Sequence, residues 1–399
     1  MKTISYRYYL ALWLALLAFP LHAQILQWER FPIIDSAYDV KVLGLTKTRF
    51  GIFTNALSDS LLFSHDRGRS WQKARWKGLG DTAFFPGTQD IPRVLGFQET
   101  STKLFTIISW GYLCFSLDSG KTWEAMRGSI YNTSTTEFLV IDKLLIQDTT
   151  FFAIRSGSLY TSRDFGKTWK LFDFFYSADD PRGGYSGFII ENIELEDAVL
   201  ILSTRSFFGE IRRFISRDKG ALWRIDDIPL PAKSEETTLK RLANNLFFAQ
   251  QRILQKGDVT FKHWLSRDSG KTWQTFSLLG PKDYISGYIV IDSTLFFATT
   301  QGIFTTRNKG ETWQKESSIG TLPDSEIANF TLDGNTLYVA AYEKGVYRAD
   351  VSTITSVSST NNQGFTVYEM PPLFWLSITH KSYSKVWRGL RGREVFFGN

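Results

Sequence analysis

The sequence predicts an all-β fold, a seven-bladed β-propeller of four-stranded blades with the ring closed by an N-terminal strand. An eight-residue phrase, Ser-x-Asp-x-Gly-x-Thr-Trp, recurs six times in 399 residues, and regular self-similarity marks a repeat architecture. Apolar runs recur at matching places before each copy of the phrase. The composition, with 33 Phe, 16 Tyr, 13 Trp and 30 Gly, suits many short strands joined by tight turns.

Residues 1–23 read as a cleaved secretory signal. Lys2 and Arg7 give a basic start, Tyr8 to Phe19 is apolar, and Leu21-His22-Ala23 ends in a small residue before Gln24. The apolar run is shorter than the ~20 residues that span a bilayer, so an exported protein without a transmembrane segment is expected. Ile25 to Arg30, with Trp28, is then an orphan strand that precedes the first repeat.

The repeated phrase is suited to a hairpin. Its copies are Ser64-x-Asp66-x-Gly68 to Trp71, Ser116-x-Asp118-x-Gly120 to Trp123, Ser162-x-Asp164-x-Gly166 to Trp169, Ser216-x-Asp218-x-Gly220 to Trp223, Ser266-x-Asp268-x-Gly270 to Trp273, and Thr306-x-Asn308-x-Gly310 to Trp313. Ser and Asp can fold their side-chain oxygens onto nearby backbone N–H groups. Gly takes the positive-φ position of the turn, Thr restarts an extended strand, and Trp is the first large apolar residue available for burial.

The apolar runs supply the other strands. Leu61–Phe63, Leu113–Phe115 and Ile303–Phe304 precede phrases, and Gly51–Phe53, Phe105–Ile107 and Phe296–Ala298 precede those. Val40–Leu45, Val94–Phe97, Phe138–Ile141 and Ile289–Ile291 are expected to be first strands, with turns such as Asp292-Ser293 making hairpins. Phe330–Leu332, Leu337–Ala340 and Gly345–Tyr347 reproduce three strands of a seventh blade. No phrase follows them, so the strand around Trp28 is expected to complete that blade and remove an exposed edge. Seven blades of ~40–45 residues fit the body, residues 24–350.

Residues 351–399 do not continue the repeat: Ser352–Gly364 is a Ser/Thr/Asn-rich linker, and the rest is a basic, aromatic tail. The net charge of +6 is concentrated at the two ends. Lys2 and Arg7 contribute +2, and Lys381, Lys385, Arg388, Arg391 and Arg393 against Glu369 and Glu394 contribute +3, leaving +1 for the body. A nearly neutral body carries no electrostatic footprint for nucleic acid. Cys114, the single cysteine, lies in an apolar run and reads as a buried strand thiol. The four histidines are scattered, with no metal-ligand spacing and no Ser/His/Asp grouping, so no metal or cofactor is expected.

The repeated phrase resembles the Asp-box, or BNR repeat, of sialidases, xyloglucanase-type glycoside hydrolases, sortilin-like receptors and photosystem II assembly factor-like proteins. The resemblance implies that each phrase lies on the outer turn between a blade's third and fourth strands, away from the functional centre. Its Asp is then structural. A single seven-bladed propeller behind a signal segment is most similar to the photosystem II stability/assembly factor-like family, which implies protein binding without catalysis. The place of the tail resembles that of the C-terminal sorting domain of bacterial type IX secretion cargo, and Val367-Tyr368-Glu369-Met370-Pro371 echoes that domain's opening.

Function is expected on the opposite face, where the connections between second and third strands and between blades surround the channel mouth. Candidate binding residues there are Phe84, Phe85, Arg93, Arg182, Tyr185 and Arg252. The alternative is glycoside hydrolysis, which needs two carboxylates facing each other ~5–9.5 Å apart; Asp90, Asp179, Asp180 and Asp283 are the candidates. No Arg-Ile-Pro signature of a sialidase is present, and one propeller lacks the paired arrangement of the xyloglucanase type. The sequence therefore favours an exported, non-catalytic module, periplasmic, surface-bound or secreted, that binds a protein or glycan.

Overall fold

The computed structural model describes residues 26–352 apart from 32–41, 57–59, 78–93, 109–110, 132–138, 173–187, 197, 207–210, 227, 232–236, 244, 277, 317–325 and 343, together with Tyr368–Glu369. The signal segment lies outside the described residues.

Seven sheets form a ring. From inner to outer strand, blade 1 is Val42–Thr48, Gly51–Ala56, Ser60–Ser64 and Gln72–Lys73. Blade 2 is Val94–Glu99, Leu104–Ile108, Leu113–Ser116 and Thr122–Ala125, with Arg75–Lys77 added outside in parallel. Blade 3 is Lys143–Gln147, Thr150–Arg155, Ser158–Ser162 and Lys170–Leu171, and blade 4 is Phe188–Glu196, Val199–Ser206, Ile211–Ser216 and Arg224–Ile225. Blade 5 is Thr237–Ala243, Leu246–Gln255, Asp258–Ser266 and Gln274–Thr275, and blade 6 is Ile285–Ile291, Thr294–Thr299, Gly302–Thr306 and Gln314–Lys315. Blade 7 takes Ile327–Asp333, Thr336–Ala341 and Gly345–Asp350 from the end of the chain and Trp28–Phe31 from its beginning.

The closing strand is the one expected from sequence. Trp28 faces Ala349 and Phe31 faces Val346 in an antiparallel ladder, while Trp28 and Leu26 join the core shared by blades 6 and 7. Blade 1 in turn packs on blade 7 through Val42, Leu45, Ile52 and Trp71 against Tyr338, Ala340 and Val346.

Most seams between blades are apolar, because side chains on the two faces of each strand are shared with neighbouring blades. Phe53 and Phe63 meet Val94 and Trp123 between blades 1 and 2, and Phe152 meets Ile193 and Trp223 between blades 3 and 4. Side-chain amides add bonds that imitate a missing ladder. Asn329 of blade 7 accepts from the Leu45 N–H and donates to its carbonyl, both at 2.8 Å. Gln250 of blade 5 accepts from the N–H of Ile285 in blade 6 at 2.9 Å. The seam between blades 4 and 5 differs: Lys240 pairs with Glu194 at 2.5 Å, and Glu196 is buried beside them.

The bonds from the first hydroxyl and to Oδ1 of the Asp or Asn recur in all six copies, while the Trp indole donates to the Gly carbonyl in blades 2, 3, 4 and 6 and to the Pro229 carbonyl in blade 5. In blade 2 the Ser116 hydroxyl donates to Asp118 Oδ1 at 2.9 Å and accepts from the Gly120 N–H at 2.9 Å. Asp118 Oδ1 also accepts from the Thr122 N–H at 2.8 Å, and Oδ2 accepts from the Thr122 hydroxyl at 2.6 Å. The Trp123 indole donates to the Gly120 carbonyl at 2.9 Å. Gly120 has φ of 86°, and a Cβ there would stand 2.3 Å from Phe53 of the preceding blade. The staple therefore holds both its own hairpin and a seam.

Several expectations need correction. Thr begins the fourth strand only in blade 2; in blades 3 and 5 Thr168 and Thr272 lie in the turn, donating hydroxyls to Asp164 and Asp268. The residue before each Gly also has positive φ, from 56° at Lys309 to 63° at Ser119 and Ser269, a strain that local hydrogen bonds offset. Leu139–Ile141 is not a first strand: it bonds to Gly111, Leu113 and Met126 of blade 2, and Lys143–Gln147 takes the inner position. The long connection in blade 5 is a continuous hairpin turning at Lys256-Gly257.

Two outcomes follow for stability. Trp28→Ala should destabilise the ring by about 3–5 kcal/mol, measured by urea unfolding, since it removes a core residue from the closing strand. The second concerns acid. Hydrogen bonds, led by those from the Ser70, Thr168 and Thr272 hydroxyls, hold Asp66, Asp164 and Asp268 at about 2. Lowered carboxylates stabilise the fold above the unfolded value of ~3.9, and that contribution is lost as pH falls through the folded value. Asn308 already makes the same turn without a charge, its Nδ2 donating to the Thr312 hydroxyl at 2.8 Å. Asp164→Asn/Asp268→Asn should therefore flatten the fall of Tm between pH 4 and pH 2 in thermal melts.

Candidate functional site

Inner strands run from the channel mouth to the Asp-box face, so the turns between second and third strands and the connections between blades meet at the mouth. There the chain uses its carboxylates to hold loops. Asp283 accepts from the Gly280 N–H at 3.0 Å and the Thr300 hydroxyl at 2.8 Å, and also from Gln301. It thus ties the connection entering blade 6 to that blade's own turn. Asp142 accepts from the Ser156 N–H at 2.7 Å and pairs with Arg155 at 2.9 Å. Glu326 accepts from the Tyr284 hydroxyl at 2.5 Å, and its carbonyl accepts from the Tyr342 N–H at 2.8 Å. Burial, with Glu326 alongside, raises the Tyr284 phenol above its ordinary range. Asp258 faces Lys282 across 3.8 Å.

The apolar groups of the same face are left open. Tyr131 is 62% exposed, with its ring edge-on to Tyr160 at 5.9 Å. Ile189 sits against Gly157, at the turn of blade 3, and its own exposure is 37%. Leu254 is 58% exposed near the tip of the blade 5 hairpin. That hairpin is braced at its base by the Phe261 N–H donating to the Pro281 carbonyl at 2.7 Å and by Phe261 against Tyr284. Arg252 lies on the same hairpin, facing Phe261 across the ladder. None of the three apolar residues was singled out from sequence; an aromatic or aliphatic residue beside a turn carries no signal until the turn is known to face the mouth.

Phe84, Phe85, Asp90, Arg93, Asp179, Asp180, Arg182 and Tyr185 lie outside the described residues. Asp283 and Arg252, the two described candidates, belong to blades 6 and 5 respectively, Asp283 entering blade 6 as a loop clamp and Arg252 on an exposed hairpin.

The carboxylates most altered by their surroundings lie within the ring. Asn192, Glu194 and Glu196 alternate along the inner strand of blade 4, so they share one face. Lys143 donates to Asn192, Asn192 to Glu194 at 2.5 Å, and Lys240 to Glu194, linking the inner strands of blades 3, 4 and 5. Burial raises Glu194, but Lys240 and Lys143 outweigh it and hold the carboxyl well below the usual range. Glu196 is 4% exposed, one of its oxygens has no hydrogen-bond partner, and burial raises its pKa. Such divergent carboxylates are a pattern of acid-base sites, yet Glu196 is sealed from any substrate and Glu194 is spent on lysine. Among the described residues no cluster of His, Cys, Asp and Glu could hold a metal. Burial lowers His263 to about 4 and lifts the Cys114 thiol to about 12, so neither is a reactive group at neutral pH.

A raised carboxyl favours the unfolded chain once pH exceeds the unfolded value, so Glu196 opposes folding at neutral pH. Glu196→Gln should raise Tm at pH 7 by on the order of 1–4 °C, and the gain should shrink as pH is lowered to 4; calorimetry at the two pH values checks it.

Comparison with known proteins agrees with this architecture. A BNR/Asp-box repeat model matches residues 160–171, the third copy of the phrase and its flanks. No curated protein matches the chain. Among solved structures, it is similar to YCF48 from Cyanidioschyzon merolae, with TM-score 0.53 and 12% identity over 82% of this chain and 99% of that one. It is also similar to YCF48 bound to D1 peptide, with TM-score 0.52 and 11% identity over 83% of this chain and 96% of that one. The extracellular domain of BT4673 from B. thetaiotaomicron gives TM-score 0.52 and 14% identity over 81% of this chain, which spans 40% of that longer one. At such identities the likeness is one of fold: the chain carries Asp-box repeats and is a seven-bladed β-propeller.

Proposed function

We propose that the protein is an exported, non-catalytic binding module whose channel-mouth face engages a protein partner. The observation that carries the reading is the division of labour at the mouth. The described carboxylates Asp142, Asp283 and Glu326 are committed to holding loops, while Tyr131, Ile189 and Leu254 stand exposed. Exposed aromatic and aliphatic side chains on a braced scaffold suit protein contacts, where a few anchors supply most of the affinity. A glycan remains the second ligand class, and nothing at the described rim favours it over protein. A solved structure of similar fold, YCF48, is described as bound to a D1 peptide, which supports a peptide or protein ligand. Export rests on residues 1–23, and mass spectrometry of the mature protein should find Gln24 at its N-terminus.

A photo-crosslinking residue placed at Tyr131 in the native host should give a discrete protein adduct. Ile189→Ser/Leu254→Ser should reduce the adduct on the order of tenfold, the equivalent of about 1.4 kcal/mol, without changing Tm. Turnover of a glycosidase substrate panel that disappears in Asp90→Asn or Asp179→Asn would instead establish the hydrolase.

A further inference from the structure

The face opposite the mouth carries the six Asp-box turns and the turns between first and second strands, and its charge is not that of the body as a whole. Five of the six phrases have a net charge of +1 and Ser116–Trp123 is neutral, so the phrases together hold +5 while residues 24–350 hold +1. The cations fill the positions between the anchoring side chains, as at Arg163, Lys167, Arg217 and Lys219, and these four are exposed. The acids Asp164 and Asp218 accept from donors of their own turns. Among the described residues, the turns between first and second strands add Lys47, Arg49 and Lys103 against Glu99, Asp148, Asp292 and Asp333, which still leaves the face positive. Three of those four acids are already paired with cations of the same face: Glu99 with Arg49 at 3.3 Å, Asp148 with Lys219 at 2.7 Å and Asp333 with Lys47 at 3.3 Å.

Apolar side chains break this pattern in three consecutive blades. Leu117 of blade 2 is 65% exposed, Phe165 of blade 3 is 42% exposed and Leu222 of blade 4 is 47% exposed. The phrases of blades 1, 5 and 6 carry no large apolar side chain apart from Trp. Two of the three stand where the turn itself favours another residue. At the place of Leu222 the other phrases have Ser or Thr, and in blades 1, 2, 3 and 5 that hydroxyl donates to the Asp Oδ2 at 2.6 Å. Leu222 forgoes this bond and keeps only the one from its N–H, at 2.8 Å. Phe165 has φ of 60°, a conformation that strains a bulky side chain, where the other phrases have Ser, Lys or Arg. Its ring meets Phe151 edge-on at 6.0 Å, and Lys103 lies 5.7 Å above it. Leu171 and Ile225, exposed on the adjoining fourth strands, extend the same sector.

We propose that the Asp-box face of blades 2, 3 and 4 is a docking surface for a bilayer of anionic phospholipids. Basic side chains are drawn to the negative surface potential of such a bilayer, and apolar groups standing among them enter the boundary between headgroups and acyl chains. Like turns on one face of a ring make a broad, level surface. Leu and Phe at separate turns on such a surface fit a soft apolar layer lying beneath anionic charge; an acidic protein would have to supply a matched pocket for each. The mouth lies on the opposite side of the ring, so docking through the Asp-box face leaves Tyr131, Ile189 and Leu254 directed away from the bilayer. The inference goes beyond the binding-module reading and does not rest on it.

The test is sedimentation of the full chain with vesicles of phosphatidylcholine, alone or with about one third phosphatidylglycerol. The native chain should bind the anionic vesicles on the order of tenfold more tightly than the neutral ones or better, and the difference should vanish at about 0.5 M salt, where charge is screened within a few Å. Phe165→Ser/Leu222→Thr introduces residues that other copies already carry at these positions. Its Tm should hold or rise, because the threonine restores the bond to Asp218, while its binding to anionic vesicles should fall about tenfold. Lys121→Gln/Arg163→Gln/Lys167→Gln/Arg217→Gln should weaken that binding on the order of a hundredfold. Equal binding to both vesicle types, binding to neither, or undiminished binding by either variant overturns the proposal. Binding of polyglutamate without binding of vesicles would assign the face to an acidic protein, and equally tight binding of monomeric short-chain phosphatidylglycerol would assign it to a free headgroup; either result also overturns it. The crosslink at Tyr131 reads the mouth separately, so each surface stands or fails by its own measurement.

Discussion

A ring of wedges is stable only if it closes, and here one backbone ladder closes it. Trp28–Phe31 supplies the outermost strand of a blade whose other three strands come from the opposite end of the chain. Without it, blade 7 would expose the edge of Gly345–Asp350, and Leu26 and Trp28 would leave the core they share with blade 6. The pairing is long-range and forms late in any ordered assembly, since its loop-closure entropy must be met before it contributes. It also ties the packing of blade 1 on blade 7 to the first residues of the body.

Within the ring, polar and apolar contacts divide the work. The apolar seams supply the bulk of the stabilisation, which scales with area removed from water. The Asp-box turns determine where each outer hairpin sits, and their glycines let a neighbouring blade approach: Gly310 faces Leu265, and Gly120 faces Phe53. Asn329 and Gln250 join adjacent blades with the geometry of a ladder where no strand pairing exists. The blade 4 to blade 5 seam is the exception. Lys240 and Glu194 join there as an ion pair with Glu196 buried beside them, and buried ion pairs offer less net stability than well-packed hydrophobic groups.

The same economy shapes the mouth. Asp142, Asp283 and Glu326 look, as residue types, like groups for acid-base chemistry, but each is consumed by loop N–H or hydroxyl donors. Tyr131, Ile189 and Leu254 stand open beside them, together with the exposed Asp258–Lys282 pair. On the channel side of blade 6 the segment Tyr368–Glu369 pairs with Gly287 and Tyr288 of the inner strand.

The sequence by itself determined the repeat, the number of blades, the role of each Asp-box residue as a turn-former and the closure by Trp28. These are legible because they depend on local hydrogen bonding and on a period, both of which are written along the chain. The sequence misplaced one inner strand, choosing Phe138–Ile141 over Lys143–Gln147, because an apolar run that plugs against blade 2 looks like a strand that lines the axis. Only the tertiary structure decided that Asp283 is a loop clamp, that Glu194 and Glu196 share a seam with Lys240, and that Tyr131, Ile189 and Leu254 come to one face. Those properties depend on which turns and inner strands the ring sets side by side, from three residues apart at Asp283 and Gly280 to 46 at Glu194 and Lys240, and no local pattern encodes which side chains the ring will bring together.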